Sequence, residues 1–175
     1  MKPLKVKKLK FLSIIIIFVL CFPLHNIYKL FPCTITSIVS PINESIWEHM
    51  KILFTSTILS IAFQILYTYQ KKETINNIAI SNYISSIINI IIFLIIYIPL
   101  YKLLGENFII TIIVMLISIV ISQLSTVPLL TTQKLKFNKY TIYLILITYL
   151  IFYYLTYNPL NIEIFIDPTN YIYNK

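Results

Sequence analysis

The sequence predicts an all-α protein, a five-span transmembrane helix bundle with its N-terminus inside and its C-terminus outside, and three observations predict it. Charged residues divide the 175-residue chain into five uncharged apolar windows, Phe11–Tyr28, Ile52–Gln70, Thr74–Tyr101, Asn107–Gln133 and Tyr140–Ile162, each close to or above the roughly twenty residues that cross a hydrocarbon core. The composition agrees: 58% of residues are hydrophobic, 11% are charged and the mean hydropathy is +0.85, whereas a soluble domain carries about a quarter charged residues. Lysine supplies the orientation. Lys2, Lys5, Lys7, Lys8 and Lys10 precede the first window, Lys71 and Lys72 follow the second, and Lys134, Lys136 and Lys139 separate the last two; the positive-inside rule puts all three clusters on the cytoplasmic side of the cytoplasmic membrane.

Taken in order, the spans fall at about residues 11–28, 50–70, 78–101, 107–130 and 140–158 of a single integral membrane domain, residues 1–175, with an outer connection at 29–43 and an outer tail at 159–175. The first window follows a lysine-rich start, as in a secretory signal. Val19, Leu20 and Phe22 around Cys21 offer no small-residue cleavage site, so it reads as a retained anchor. Pro23, Pro32 and Pro41 then punctuate the chain, and the stretch Leu24–Ser40 reads as irregular or partly extended rather than helical. Asn43 is the expected N-cap of the second span's helix, with Glu44 in its first turn. That spacing places Glu44 and Glu48 one turn apart on one face, His49 toward the bundle mouth, and Trp47 in the interfacial aromatic belt.

Three spans carry polar side chains at helical spacing: His49, Ser56, Ser60 and Gln64; Asn82, Ser85, Ser86 and Asn89; Thr111, Ser118, Ser122 and Ser125 with Gln123 nearby. These faces are expected to meet inside the bundle, either as interhelical hydrogen bonding or as the lining of a polar path. Short connections at Lys71–Asn77, Lys102–Asn107 and Thr131–Lys139 make successive helices antiparallel. After Asn158-Pro159 the tail reads as extended toward Asp167-Pro168, folding back over the outer surface.

Five of the six carboxylates and both histidines fall in outer connections on this topology. Candidate ligand-binding residues there are Asn43, Glu44, Glu48, His49, His25 and Asp167. Glu44, Glu48 and His49 are the candidate ligands of a divalent metal, since carboxylate with imidazole suits zinc or manganese. The alternatives at this segment are a capped, solvated helix start and metal-independent acid–base work by a Glu–His pair.

The nonapeptide Pro41-Ile42-Asn43-Glu44-Ser45-Ile46-Trp47-Glu48-His49 resembles the signature Pro-Val-Asn-Glu-Ser-Val-Trp-Glu-His of a family of small bacterial multi-pass membrane proteins described only as a domain of unknown function. His25 with Tyr28, Ile98-Pro99 with Gly105, Ser122-Gln123-Leu124, and the tail from Pro159 through Asp167-Pro168-Thr169 to Tyr173 are similar to further features of that family. Asn158, Glu163, Asn170 and Asn174 depart from it, standing where proline or glycine is expected. The resemblance implies a membrane topology and a shared outer-face motif, and no activity.

Absences narrow the chemistry. Gly105 is the only glycine, which excludes phosphate-cradling loops, dinucleotide fingerprints and a Gly-x-Ser-x-Gly elbow. The 14 cationic residues are all lysines, in short clusters without interleaved aromatics, so the lipid bilayer rather than nucleic acid is the expected partner. The sequence favours a membrane protein that binds a small ligand, cation or partner at an outward polar mouth. A metal-dependent enzyme acting on a lipid or envelope substrate, and a small transport subunit, are the alternatives.

Overall fold

The computed structural model describes residues 3–167 and 172–173; Lys2, Pro168, Thr169, Asn170, Asn174 and Lys175 lie outside them. Stretches of Ile, Leu, Phe and Tyr with a single glycine leave the backbone one way to satisfy its polar groups in hydrocarbon, which is to coil into helices. The long helices are α1 (Pro3–Leu30), α3 (Ile46–Gln70), α4 (Ile78–Leu104), α5 (Phe108–Ser125) and α7 (Thr141–Tyr157), with short helices α2 (Thr34–Val39) and α6 (Val127–Thr131) between them. Among the described residues, five stretches are long and apolar enough to cross a bilayer: Lys5–Leu30, Ile46–Gln70, Ile78–Leu104, Phe108–Thr131 and Lys136–Tyr157.

The stretch after the first span departs from the sequence expectation. Helix α1 runs through Pro23 to Leu30, and Thr34–Val39 is helical rather than extended. A proline inside a helix removes one hydrogen bond, and in an apolar setting the remaining bonds cannot be exchanged for water, so the helix continues. Pro32 and Pro41 do act as breaks: α1 stops two residues before Pro32, and Ser40 before Pro41 is extended, with φ −129° and ψ 152°. Thr36 Oγ1 accepts the Cys33 N–H at 3.0 Å at the start of α2. Pro128 similarly separates α6 from α5 at Thr126, whose hydroxyl donates to the Ser122 and Gln123 carbonyls.

Helices α1, α3, α4 and α5 form a ring in which α3 packs on α1 and α4, and α5 packs on α1 and α4; α7 lies outside against α2 and α4. Leu53, Phe93 and Ile119 are buried at its centre with Ile17 of α1. The polar stripes meet there. Gln64 and Asn82 exchange two hydrogen bonds, at 2.9 and 3.0 Å, Ser60 donates to Asn82, and Gln123 donates to Ser85 at 2.8 Å. Lys10 is fully buried and donates to Gln123 at 2.9 Å. Asn89 keeps both amide atoms without a partner among the described residues. Ser125 departs from the expected face, being exposed and bonded to its own helix at Ile121.

Asn77, at φ +60°, fastens the other end. Its amide donates to the Leu129 and Gln133 carbonyls and accepts the Leu135 N–H. The ends of α1, α4 and α7 and the starts of α3 and α5 share the opposite end, here the tail end. There the tail forms a 3-10 turn at Glu163–Phe165 and a short antiparallel pairing of β1 (Ile166–Asp167) with β2 (Ile172–Tyr173).

Candidate metal centre

The segment joining α2 to α3 is shaped by two local hydrogen bonds. Asn43 Oδ1 accepts the Ser45 N–H at 3.0 Å, closing a turn, and Ser45 Oγ accepts the Glu48 N–H, so Ser45 caps α3. This corrects the expected cap at Asn43 and takes Glu44 out of the helix. Glu44 and Glu48 therefore do not share a helical face. The turn aims Glu44 back toward α1, while Glu48 points into the bundle.

Glu48 and Lys51 are both fully buried and ion-paired across one turn of α3. Lys51 also donates to the Ser37 carbonyl at 2.7 Å and to Thr156 Oγ1 at 3.1 Å, and Glu48 accepts the Ile42 N–H at 2.9 Å. One buried pair thus ties α2, α3, α7 and the connection together. A carboxylate in that position is an anchor, and the structure separates Glu48 from the other candidate ligands.

The residues that do converge are His25, Glu44 and His49, whose ligand atoms all lie within 4.8 Å of one another. His25 Nε2 is 3.4 Å from Glu44 Oε1, His49 Nε2 is 3.9 Å from Glu44 Oε2, and the two imidazole centroids are 5.8 Å apart. Bonds of about 2.0–2.1 Å at tetrahedral angles separate ligand atoms by about 3.4 Å, so small side-chain movements suffice for zinc-like coordination. His49 Nδ1 lies 2.9 Å from the Ser45 carbonyl. A carbonyl there holds the proton on Nδ1 and leaves the Nε2 lone pair facing Glu44, which is how metal-binding imidazoles are oriented.

Lys29 completes the surroundings, its Nζ 3.1 Å from Glu44 Oε1. The hydrogen bond from His25, opposed by partial burial and aided by Lys29, holds the Glu44 carboxyl down to about 2. It is therefore ionised at any ordinary pH. Lys29 follows His25 by four residues and so shares its helix face, a signal the sequence carried.

His25, Glu44 and His49 form one end of a cavity of about 190 Å³ whose walls come from α1, α3, α4 and α5. Glu106, Tyr97 and Thr111 add polar atoms, with Thr111 donating to the Tyr97 hydroxyl at 3.1 Å. Partial desolvation of the otherwise exposed side chain, with repulsion from Glu44 and Asp167, raises the Glu106 carboxyl above its ordinary value. Sequence reasoning left out Glu106, which lies sixty-two positions from Glu44 and carries no local mark.

The remaining candidates lie elsewhere. Asp167 is buried in β1 and outside the His25–Glu44–His49 group. The tail docks through Phe165, which stacks on Trp47 with centroids 4.8 Å apart. Trp47 is consequently buried against Phe165 and Phe152 rather than placed in an interfacial belt, because the tail and α7 cover it. Cys21 and Cys33 are both free thiols, buried and exposed respectively.

No curated protein and no solved structure matches the chain. The model of one family matches residues 1–174, nearly the whole sequence. The protein belongs to this family, a family of unknown function (DUF6512).

Proposed function

We propose that this is a multi-pass protein of the cytoplasmic membrane that binds a divalent transition metal at its outward end, through His25, Glu44 and His49. The observation that carries the reading is the convergence of two imidazoles and one ionised carboxylate, with His49 oriented by the Ser45 carbonyl. Nitrogen and oxygen ligands of this kind suit zinc, and manganese after it. The lysine clusters near the start of α1, after α3 and before α7 support an inward N-terminus, which puts the cluster outside.

Metal analysis of the purified full chain after zinc loading and dialysis tests the reading. One zinc per chain is expected, with loss in His25→Ala, Glu44→Gln and His49→Ala and retention in Lys29→Ala. Zinc content equal in wild type and all three ligand variants overturns it.

A second reading has its own observation. A zinc held by His25, Glu44 and His49 would keep one of four tetrahedral positions free, as catalytic zinc sites do, and all three side chains line the cavity. This favours a metal-dependent enzyme acting on a lipid or envelope substrate, and it requires metal-dependent turnover that Glu44→Gln abolishes. The polar stripes lend less to a transport reading, because Gln64, Asn82, Ser85 and Gln123 bond one another between helices.

A further inference from the structure

The cavity beneath the cluster has an amphiphile's polarity. His25 and Phe18 on α1 both line it, and they are seven residues apart, roughly 10 Å along a helix. Phe108 and Met115 on α5 line it across the same interval. All titratable ligands sit at one end, while Phe18, Ile52, Ile112 and Met115 make the deeper walls. An engineered apolar cavity of about 150 Å³ holds benzene, so 190 Å³ takes a short run of hydrocarbon and excludes a bulky ring system.

Two of its lining side chains reach the outer surface of the bundle. Phe22 of α1 is 46% exposed and Phe108 of α5 is 73% exposed, and on a helix embedded in a bilayer such a surface meets acyl chains rather than water. The charge at the polar end fixes the head. A divalent metal with one carboxylate ligand keeps a positive charge, and the Lys29 ammonium lies beside it, so an anionic oxygen head is favoured there.

We propose that this cavity binds a single-chain amphiphile entering laterally from the bilayer between α1 and α5, its anionic oxygen head on the metal held by His25, Glu44 and His49 and its chain against Phe18, Ile112 and Met115. The inference rests on the metal reading above and adds the ligand class to it. Tyr97 and Glu106 stand beside the head, the first as a hydroxyl donor and the second as a carboxyl that donates when protonated.

The test uses the full chain in bilayer nanodiscs, loaded with cobalt as a spectroscopic substitute and titrated with dodecanoyl hydroxamate or acetohydroxamate. The expected result is a change in the cobalt visible spectrum with the long-chain hydroxamate, weakened about tenfold in Met115→Trp and Ile112→Trp, which fill the apolar end. Cobalt stoichiometry in those variants remains at the wild-type value and shows that the ligand set has folded. Both variants contain the same lipid, so partition of the probe into the bilayer cancels in the comparison. Cobalt uptake with equal hydroxamate affinity in wild type and both variants overturns the chain pocket and leaves the metal reading standing. A chain that takes up no cobalt sinks both.

Discussion

Lys51 shows how one side chain redirects a whole motif. In the sequence it stands three residues past Glu48 at the mouth of a span, where water is near; in the structure it is fully buried between α2, α3 and α7. Removing one member of a buried pair strands the other charge, which costs about 3–5 kcal/mol. Lys51→Met is therefore expected to lower the unfolding free energy by that amount in thermal or denaturant unfolding. Adding Glu48→Gln to it recovers most of the loss, since the amide still accepts from the Ile42 N–H. Glu44 behaves in the opposite way, being half-buried and reachable by protons. Its folded value of about 2 lies below the ordinary glutamate value of about 4.3, so its contribution is fully present above the higher figure and disappears as pH falls through the lower one. Unfolding temperature measured against pH is expected to decline across that window in wild type, and less steeply in Glu44→Gln.

Elements were legible where their cause is local and obscure where it is distant. Five apolar windows and three polar faces could be read from spacing, because helical periodicity and membrane thickness are properties of short stretches. The α3 cap was not, although Asn43 and Ser45 are both good capping residues. The choice between them is made by the Asn43 turn and by the Glu48 carboxylate holding the Ile42 N–H, and burial of that carboxylate depends on Thr156, over a hundred residues away. Helix α1 passing Pro23 has the same character: the local residue says break, and the apolar surroundings overrule it. Of the candidate ligands, Glu44, Glu48 and His49 stand together in the sequence at helical spacing and His25 and Asp167 come from separate segments; the fold gathers His25, Glu44 and His49 and leaves Glu48 and Asp167 outside that group. The joint between α4 and α5 offers a test of element geometry. Gly105 has φ +70° and ψ −169°, with open space where a Cβ would stand, so Gly105→Ala is expected to cost about 1–3 kcal/mol from backbone strain alone. Thermal unfolding measures it, and an unchanged midpoint shows that the joint relaxes freely.

At the scale of the molecule, the ring of four helices with a fifth outside puts His25, Glu44 and His49 of the candidate centre at one end. The orientation proposed from lysine asymmetry puts that end outside, and the chain carries its own reporter of that proposal. Cys33 is exposed in the α1–α2 connection, and hydrogen bonding from Thr36 lowers its thiol below the usual range; Cys21 is buried. A membrane-impermeant maleimide is therefore expected to modify intact cells' protein once, at Cys33, and Cys33→Ser abolishes the reaction. Labelling that appears only after permeabilisation reverses the orientation and places the centre in the cytoplasm.

The stacking of Phe165 on Trp47 has an optical corollary. Trp47 is the only tryptophan among 14 tyrosines, so emission excited selectively at the indole originates a few ångströms from the C-terminal segment. Stripping that segment away by a truncation after Pro159 exposes the indole to a wetter environment and moves the emission to longer wavelength. The colour of a single fluorophore thereby reports whether the cap over the bundle is closed, without any added dye.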